Sequence, residues 1–293
     1  MEILTTLIDG LNVGAIYAMI ALGYTMVYGI AKMLNFAHGD IIMVGGYTVC
    51  VFCGLSGSVP VFLVGVLASV VVCVLLGVAI ERVAYRPLRG ASPLAVLITA
   101  IGVSYLLQSL AQILFGSASR MVPVPALGKV YIGTLGIKVS TLTTLGVAVV
   151  VMVALSCFVR YSRTGRAMLA VSEDRAAAQL MGIPVNFIIA LTFAIGSALA
   201  ALAGVFYLLQ SPWMTPTFGA MPGIKAFTAA VIGGIGSIPG AMIGSLLLGI
   251  TEAACDAVPA IAPYKDAVEF GILILILLVK PTGLLGKKRR EKV

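Results

Sequence analysis

Long apolar runs, separated by short polar segments, recur along the chain as far as residue 280. A membrane-crossing helix needs about 20 apolar residues, and lipid forces every backbone polar group to be satisfied inside the helix. The pattern therefore predicts an all-α fold, a polytopic transmembrane helical bundle with about eight or nine membrane segments. The predicted segments are 3–30, 36–54, 60–80, 93–115, 139–159, 187–209, 223–235, 239–257 and 266–280.

A glycine-rich stretch separates the predicted segments 223–235 and 239–257. Glycine and proline weaken or break helices, so a helix break is predicted here. Two interpretations stay open: a break at mid-membrane, where irregular backbone must be buried or line a water-filled cavity, or a tight cytoplasmic turn between two ordinary helices. The residues of the predicted break are Gly233, Gly234, Gly236, Ser237, Gly240 and Gly244.

The composition excludes an ordinary soluble domain. Hydrophobic residues make up 60% of the chain, charged residues only 10%, and the mean hydropathy is +1.12. Apolar residues are spread over the whole length, so we predict a single transmembrane domain over 1–293. The five cysteines all lie inside apolar runs, which favours a structural role over disulfides or a metal site.

The distribution of positive charge predicts the orientation in the membrane. Loops rich in Lys and Arg stay cytoplasmic, and such residues concentrate in 81–92, in 160–186 and in the tail 281–293. The N-terminus is therefore expected outside and the C-terminus inside. Five of the 19 basic residues lie in the last seven positions, a pattern that suits anionic lipid headgroups, and no nucleic-acid-binding module accompanies them.

No pattern in the chain indicates an enzyme. The Gly-x4-Gly-Lys-Ser/Thr motif that holds nucleotide phosphates does not occur, and His38 is the one histidine. Neither a nucleophile motif nor a metal-ligand cluster is present. We therefore expect a membrane protein without an active site or a cofactor of its own, one that cannot use ATP alone.

The polar loop 160–186 predicts a short cytoplasmic helix from Glu173 to Met181. Ser172 is expected to cap its N-terminus, acidic residues complement the positive end of the helix dipole, and Gly182 followed by Pro184 ends it. Such a helix is either an interfacial connector or a docking element for another subunit. The residues of interest are Arg166, Ser172, Glu173, Asp174, Arg175, Ala177, Ala178 and Gly182.

Three motifs in order give the chain a resemblance to the branched-chain amino-acid permeases of bacterial ABC importers, of the LivH type. They are Leu34 to Gly39 (Leu-Asn-Phe-Ala-His-Gly), the loop from Gly165 to Ile183, and the glycine-rich segment from Gly233 to Gly244. Within the loop, Ala177 to Gly182 fits the end of the Glu-Ala-Ala-x3-Gly pattern of importer permeases, whereas Ala176 replaces its glutamate.

The resemblance implies partners and a location. The loop would insert a coupling helix into one of two cytoplasmic ATPase subunits, which bind the ATP. A second homologous permease subunit and a periplasmic substrate-binding protein would complete the importer in the bacterial inner membrane. The implied cargo is Leu, Ile and Val.

Ionisable residues near the second segment suggest a further role. Asn35, His38, Gly39 and Asp40 belong to the resembling motif, and ionisable groups at membrane depth point to function, here a gate. The alternative is snorkelling at the interface or a helix cap. A second set is expected near the outer surface, either solvated or contacting a binding protein: Glu252, Asp256, Lys265, Asp266 and Glu269.

Rival functions remain open on sequence alone. A sugar, urea or amide permease of the same superfamily would share these features, because the binding protein largely chooses the cargo. A secondary transporter or channel would work without ATP and would place its site at broken helices. A purely structural membrane scaffold has no need for a capped docking helix.

Overall fold

The computed structural model describes residues 2–132 and 135–286. The helices are α1 Glu2–Ala31, α2 His38–Leu55, α3 Val59–Ile80, α4 Pro93–Phe115, α5 Val139–Tyr161, α6 Arg163–Glu173, α7 Arg175–Leu180, α8 Val185–Gln210, α9 Ala220–Gly233, α10 Ile238–Asp256 and α11 Lys265–Val279. A π-helical turn, Glu81–Tyr85, extends α3, and a 3-10 turn, Ala262–Tyr264, precedes α11. The strands are β1 Arg120–Met121, β2 Lys129–Ile132, β3 Leu135–Lys138 and β4 Trp213–Met214.

The helical membrane fold expected from the apolar runs is confirmed. Each predicted segment overlaps an observed helix, and 93–115 coincides with α4, where Ser92 caps the amide of Ala95 at 3.3 Å and proline occupies the first turn. Seven helices in the described ranges are long and apolar enough to cross a membrane, while α9 and α11 are shorter. The number of crossings and the orientation stay predictions, and residues 287–293 of the basic tail lie outside the described residues.

Helix α1 forms the centre of the bundle and packs against α8, α9 and α10. Its approach to α10 depends on glycine, because a Cβ atom at Gly10 would lie 2.8 Å from the Ile250 Cα, and one at Gly14 would lie 2.9 Å from the Leu246 Cα. Small residues let helix backbones come close and gain van der Waals contact in lipid. By contrast, less than a third of the residues of α3, α4 and α5 are buried.

Two small antiparallel sheets, which the apolar pattern does not predict, lie outside the helices. Strands β2 and β3 pair between α4 and α5, with Lys129 opposite Lys138. Strand β1 pairs with β4, with Arg120 opposite Met214, and so joins the loop after α4 to the loop after α8.

Helix α9 begins inside the bundle. After β4 the chain turns back, and Gly219 packs so closely on Gly39, at the start of α2, that a side chain at Gly219 would overlap the Gly39 carbonyl. A Cβ atom at Gly223 would lie 3.0 Å from the Gly39 Cα. The segment of irregular backbone inside the bundle is therefore 215–219, immediately before α9.

The glycine-rich turn between α9 and α10 lies next to the end of α1, and its depth in the membrane stays a prediction. Gly236 lies beside Gly29, two residues before the end of α1, and the amides of Leu284 and Leu285 donate to the carbonyls of Ile232 and Gly233 at 2.8 and 2.9 Å. Positive φ angles at Gly234 (105°) and Gly236 (95°) reverse the chain, a conformation that glycine adopts without strain. The described turn is tight, with four residues between the end of α9 and the start of α10. Ser237 caps α10 by accepting from the Gly240 amide at 3.2 Å, and Gly244 packs against the α9 backbone.

Candidate functional site

The connection between α1 and α2 lies inside the protein. Helix α1 ends at Ala31, α2 begins at His38, and between them Asn35 is buried. The π-helical turn after α3 places Tyr85 so that its hydroxyl donates to Asn35 Oδ1 at 2.9 Å. Single π turns within helices are frequent at functional sites. Here the π turn positions Tyr85 to hold Asn35, just before α2 begins.

His38 and Asp40 occupy the interior of the bundle. They are 1% and 2% exposed, so snorkelling is excluded for both, and the α2 N-terminus has no side-chain cap. The His38 ring packs edge-on against Tyr24, with 4.6 Å between centroids, and a Cβ atom at Gly23 would lie 2.5 Å from its Nε2. Gly23 precedes the end of α1 by eight residues, about 12 Å along the helix, so these groups lie well inside the protein.

Asp40 faces a cavity of about 370 Å³ between α2, α4 and α9. From α4, Gln108 Nε2 donates to Asp40 Oδ1 at 2.9 Å and to Ser104 Oγ at 3.2 Å. The sequence motif identified Asp40, whereas its partners on α4 carried no recognisable signal in one sequence. The lining is otherwise mainly apolar or aromatic: Tyr24, Phe36, Gly39, Leu97, Ile101, Tyr105, Ala220 and Ile224.

A second cavity, of about 650 Å³, adjoins the first and reaches the loop 160–186. Leu97 on α4 lines both cavities. The second cavity is more polar, with Lys32 and Arg89 on one side and Glu173 to Arg175 on the other. Together the two cavities follow α4 from Asp40 to the polar loop.

The polar loop folds as two helices, so the prediction of one helix capped by Ser172 is wrong. The carboxylate of Asp174 accepts from the amides of Ala176 and Ala177 at 2.8 and 3.0 Å and thereby starts α7. A side chain that bonds to local amides competes with continuation of the helix, which explains the break between α6 and α7. Ser172 lies in α6 and donates to the Leu169 carbonyl at 2.7 Å, and Glu173 is the last residue of α6.

Arg175 connects this loop to α1. Its guanidinium donates to the carbonyl of Ala31, the last residue of α1. Partial burial, with a smaller contribution from the positive charge of Arg89, lowers the pKa of Arg175 below its usual value. Arg89 itself forms an ion pair with Glu81 and donates to Asn186 at the start of α8.

The other predicted loop residues divide between the buried and the exposed face. Ala178 is buried, Arg166 and Ala177 are exposed, and Gly182 ends the loop with a φ of 78°. Beyond Ala178, Leu180 and Met181 are 89% and 82% exposed, which leaves an apolar tip on α7.

A buried charge network, centred on a residue that the sequence analysis missed, joins α9, α10 and α11. Lys225 Nζ lies 2.9 Å from Glu252 Oε1, 2.8 Å from Asp266 Oδ1 and 3.3 Å from Glu269 Oε1. Tyr17 on α1 donates to Glu252 Oε2 at 2.7 Å.

The expectation of a solvated outer face is therefore wrong for part of the acidic set. Glu252 and Glu269 are 8% and 0% exposed, whereas the side chains of Asp256 and Asp266 stay about half exposed. Lys265 contacts both Glu252 and Asp256, at 3.1 and 3.0 Å. These two residues of α10 therefore lie on one face of the helix, as their i, i+4 spacing predicts. Across the described residues no group of three His, Cys, Asp or Glu has the arrangement of a metal site, and the five cysteines are unpaired.

Comparison with known proteins places the chain among transporters. The family model described as "Branched-chain amino acid transport system / permease component" matches residues 6–277. The high-affinity branched-chain amino acid transport system permease protein BraD of Pseudomonas aeruginosa is 47% identical over 99% of this chain and 98% of its own length. The corresponding protein LivH of Escherichia coli is 44% identical over 99% and 97%.

Sugar permeases are less similar. The fructose import permease protein FrcC of Rhizobium meliloti is 38% identical over 35% of this chain and 31% of its own length. The family and the seven apolar helices together make the chain a multi-pass protein of the bacterial inner membrane. From residue 6 to residue 277, the chain belongs to the family of branched-chain amino acid transport system permease components.

Proposed function

We propose that this protein is the transmembrane permease subunit of an ATP-driven importer of leucine, isoleucine and valine. The observation that carries the proposal is the near full-length similarity to BraD and LivH, whose names specify branched-chain amino acid transport. The chain provides the pathway and the mechanical coupling, and no covalent chemistry. It needs no cofactor of its own, because separate cytoplasmic subunits bind and hydrolyse the ATP.

The loop 160–186 is the element that docks the ATPase. An exposed apolar pair at the end of a short, well-anchored helix suits insertion into a groove of a partner, and Leu180 and Met181 form such a pair. The pair forms the C-terminal end of α7, which Asp174 caps and Arg175 connects to α1. Movement of the docked helix is therefore transmitted to the end of α1 and the buried connection to α2.

The two cavities along α4 form part of the translocation pathway. They connect the Asp40 region inside the bundle with the loop that docks the ATPase. ATP-driven closure of the ATPase subunits would shift α7 and the α1–α2 connection, which changes the access of these cavities to the two membrane faces. Asn35, His38, Gly39 and Asp40 then act at the gate between them.

The remaining partners have distinct surfaces. A second homologous permease subunit pairs with this chain inside the membrane, where much apolar helix surface is exposed. A periplasmic binding protein delivers cargo at the end that carries the small sheets. The chain acts as one domain, with 160–186 as its coupling loop and 281–293 as a basic cytoplasmic tail.

Uptake of radiolabelled leucine into proteoliposomes tests the function. The permease is reconstituted with its co-purifying partners and binding protein, with and without internal ATP. We expect uptake only with ATP and the binding protein. Leucine uptake by the purified chain alone, indifferent to ATP, would overturn the importer in favour of a carrier or channel. ATP-dependent uptake of ribose in place of leucine would overturn the cargo.

Variants of the apolar tip test the coupling loop. The double substitution Leu180→Glu and Met181→Glu adds charge to an exposed surface, so the permease should fold but lose the ATPase subunits on purification and lose uptake. Ile3→Glu, at a position that is 86% exposed on α1, serves as a control and should retain both. Normal co-purification and uptake with the double variant would refute this docking surface.

A further inference from the structure

We propose that the cavity between α2, α4 and α9 binds the aliphatic amino acid in transit, with the carboxylate of Asp40 accepting hydrogen bonds from the ligand's ammonium group. The inference rests on the proposed function and adds to it a ligand site within the permease. Three features of the cavity correspond to the three parts of such a ligand: its ammonium group, its carboxylate and its aliphatic side chain.

Asp40 supplies the first feature, a negative charge at depth. The residue is 2% exposed, and its partner in the cavity is the neutral amide of Gln108, at 2.9 Å. None of the described residues that line the cavity is Lys or Arg. A carboxylate in an apolar interior is costly unless a cation compensates it, so an incoming ammonium group would gain a charge-assisted hydrogen bond there.

Gln108 and Ser104 orient this carboxylate. Gln108 Nε2 donates to one oxygen of Asp40, Oδ1, and also contacts Ser104 Oγ. Asp40 is held by Gln108, which Ser104 holds in turn, so the charge points in a defined direction. Because neither partner carries a charge, they orient Asp40 without neutralising it.

The first turn of α9 supplies the second feature. Ala220, the first residue of α9, lines the cavity, and α9 begins where Gly219 packs against Gly39. Since Gly39 precedes Asp40 in the chain, the positive end of the α9 dipole lies near the negative side chain. A helix that starts at membrane depth favours a carboxylate at its N-terminus, which suits the other charged group of an amino acid.

Apolar side chains supply the third feature. Leu97, Ile101 and Ile224 line the same cavity and offer contact to a branched aliphatic side chain. The volume of about 370 Å³ lies at the lower end of the range for small-molecule sites, roughly 300–1,000 Å³. The next cavity, which shares Leu97, continues from the site toward the coupling loop.

The first test removes the charge of Asp40 and keeps its shape. In the reconstituted importer, Asp40→Asn should lower ATP-dependent leucine uptake by roughly tenfold to a hundredfold, the range expected for a hydrogen bond to a charged group. Stimulation of ATP hydrolysis by the loaded binding protein should persist, because the coupling loop is unchanged. Asp9→Asn, at an exposed carboxylate on α1, is the control and should transport like the unmodified protein.

A second pair of variants tests the cavity without touching its charge. Ile101→Trp fills the space beside Asp40 and should lower uptake, whereas Ile98→Trp, at an exposed position of the same helix that does not line the cavity, should not. Equal uptake by the two tryptophan variants would overturn the site, even if Asp40→Asn failed to assemble.

Ligand protection measures occupancy directly. In the detergent-solubilised importer carrying Ser104→Cys, the rate of modification of position 104 by N-ethylmaleimide is followed by peptide mass spectrometry. Leucine and isoamylamine, which both carry the amino group, should slow the reaction severalfold. 4-Methylpentanoate, which lacks it, should not. Equal protection by all three compounds, or none, would overturn recognition of the ammonium group by Asp40.

The outcomes separate the two proposals. If the unmodified importer shows no ATP-dependent leucine uptake, the proposed function fails. If it transports leucine and Asp40→Asn transports at the same rate, the proposed function stands and the ligand site is refuted.

Discussion

Replacing Lys225 with methionine should destabilise the permease strongly, because this one ammonium group holds three carboxylates on two other helices. Its side chain is 5% exposed, and those of Glu252 and Glu269 are 10% and 1% exposed. Methionine retains most of the apolar stem, so the change removes the charge and little packing. Glu252 would keep its contact with Lys265, whereas the buried Glu269 would lose its contact with Lys225.

The magnitude follows from the burial of each pair. Breaking a buried ion pair by removing one partner costs about 3–5 kcal/mol, whereas an exposed pair contributes about 0–1 kcal/mol. Asp266 is half exposed and adds little, so the loss comes from Glu252 and Glu269. We expect Lys225→Met to lower the free energy of unfolding by about 3–5 kcal/mol.

Lys265→Met provides a matched control in the same network. Lys265 contacts Glu252 and Asp256, but its side chain is 32% exposed and that of Asp256 is 50% exposed. Solvent screens these contacts, so we expect a loss of about 1 kcal/mol or less. Adding Glu252→Gln to Lys225→Met should recover part of the stability, since it removes the repulsion between the buried carboxylates of Glu252 and Glu269.

Unfolding by sodium dodecyl sulfate in mixed micelles, followed by far-ultraviolet circular dichroism, measures these differences. The reasoning would be refuted if Lys225→Met lost no more stability than Lys265→Met. It would equally be refuted if the double variant lost the sum of the stabilities that Lys225→Met and Glu252→Gln lose separately. Two partners in one network should not act independently.

Two further predictions concern backbone contacts and the coupling loop. Gly219→Val should prevent assembly of α9 against α2, because its side chain would overlap the Gly39 carbonyl, and should lower the yield of folded protein in size-exclusion chromatography. Gly271→Val, at a position where a Cβ atom would have no atom within 4 Å, should leave that yield unchanged. Asp174→Ala should lower leucine-stimulated ATP hydrolysis of the complex severalfold by removing the α7 cap, at a local cost of about 0.5–2 kcal/mol. Glu173→Ala should leave that hydrolysis close to normal, since Glu173 ends α6, and equal effects of the two changes would contradict the two-helix loop.

Local pattern was sufficient to predict the membrane helices and several of their ends. Apolar runs long enough to cross lipid correspond to helices because the backbone has no alternative partner there. The helix start at residue 93, the turn at Gly234 and Gly236 and the stop at Gly182 involve residues close in the chain. Such signals depend on few neighbours, so one sequence contains them.

Local pattern was not sufficient where a residue's role depends on a distant helix. In the sequence, Lys225 is an isolated cation in an apolar segment. Its partners Glu252 and Glu269 lie 27 and 44 positions away. The cavity beside Asp40 likewise requires Gln108, 68 positions along the chain. The second helix of the polar loop likewise begins after Asp174 rather than after Ser172, and Arg175 in its first turn contacts the Ala31 carbonyl, 144 positions away.

The sequence by itself therefore determined that this chain is a helical membrane protein with a glycine-rich turn and a structured polar loop, since lipid leaves the backbone only local hydrogen bonds. The tertiary structure decided which polar groups are buried together. Helix rotation sets whether Glu252 faces solvent or Lys225, and whether Asp40 faces lipid or a cavity. That rotation follows from packing between helices far apart in the chain, through contacts such as Gly39 on Gly219 and Gly10 on Ile250.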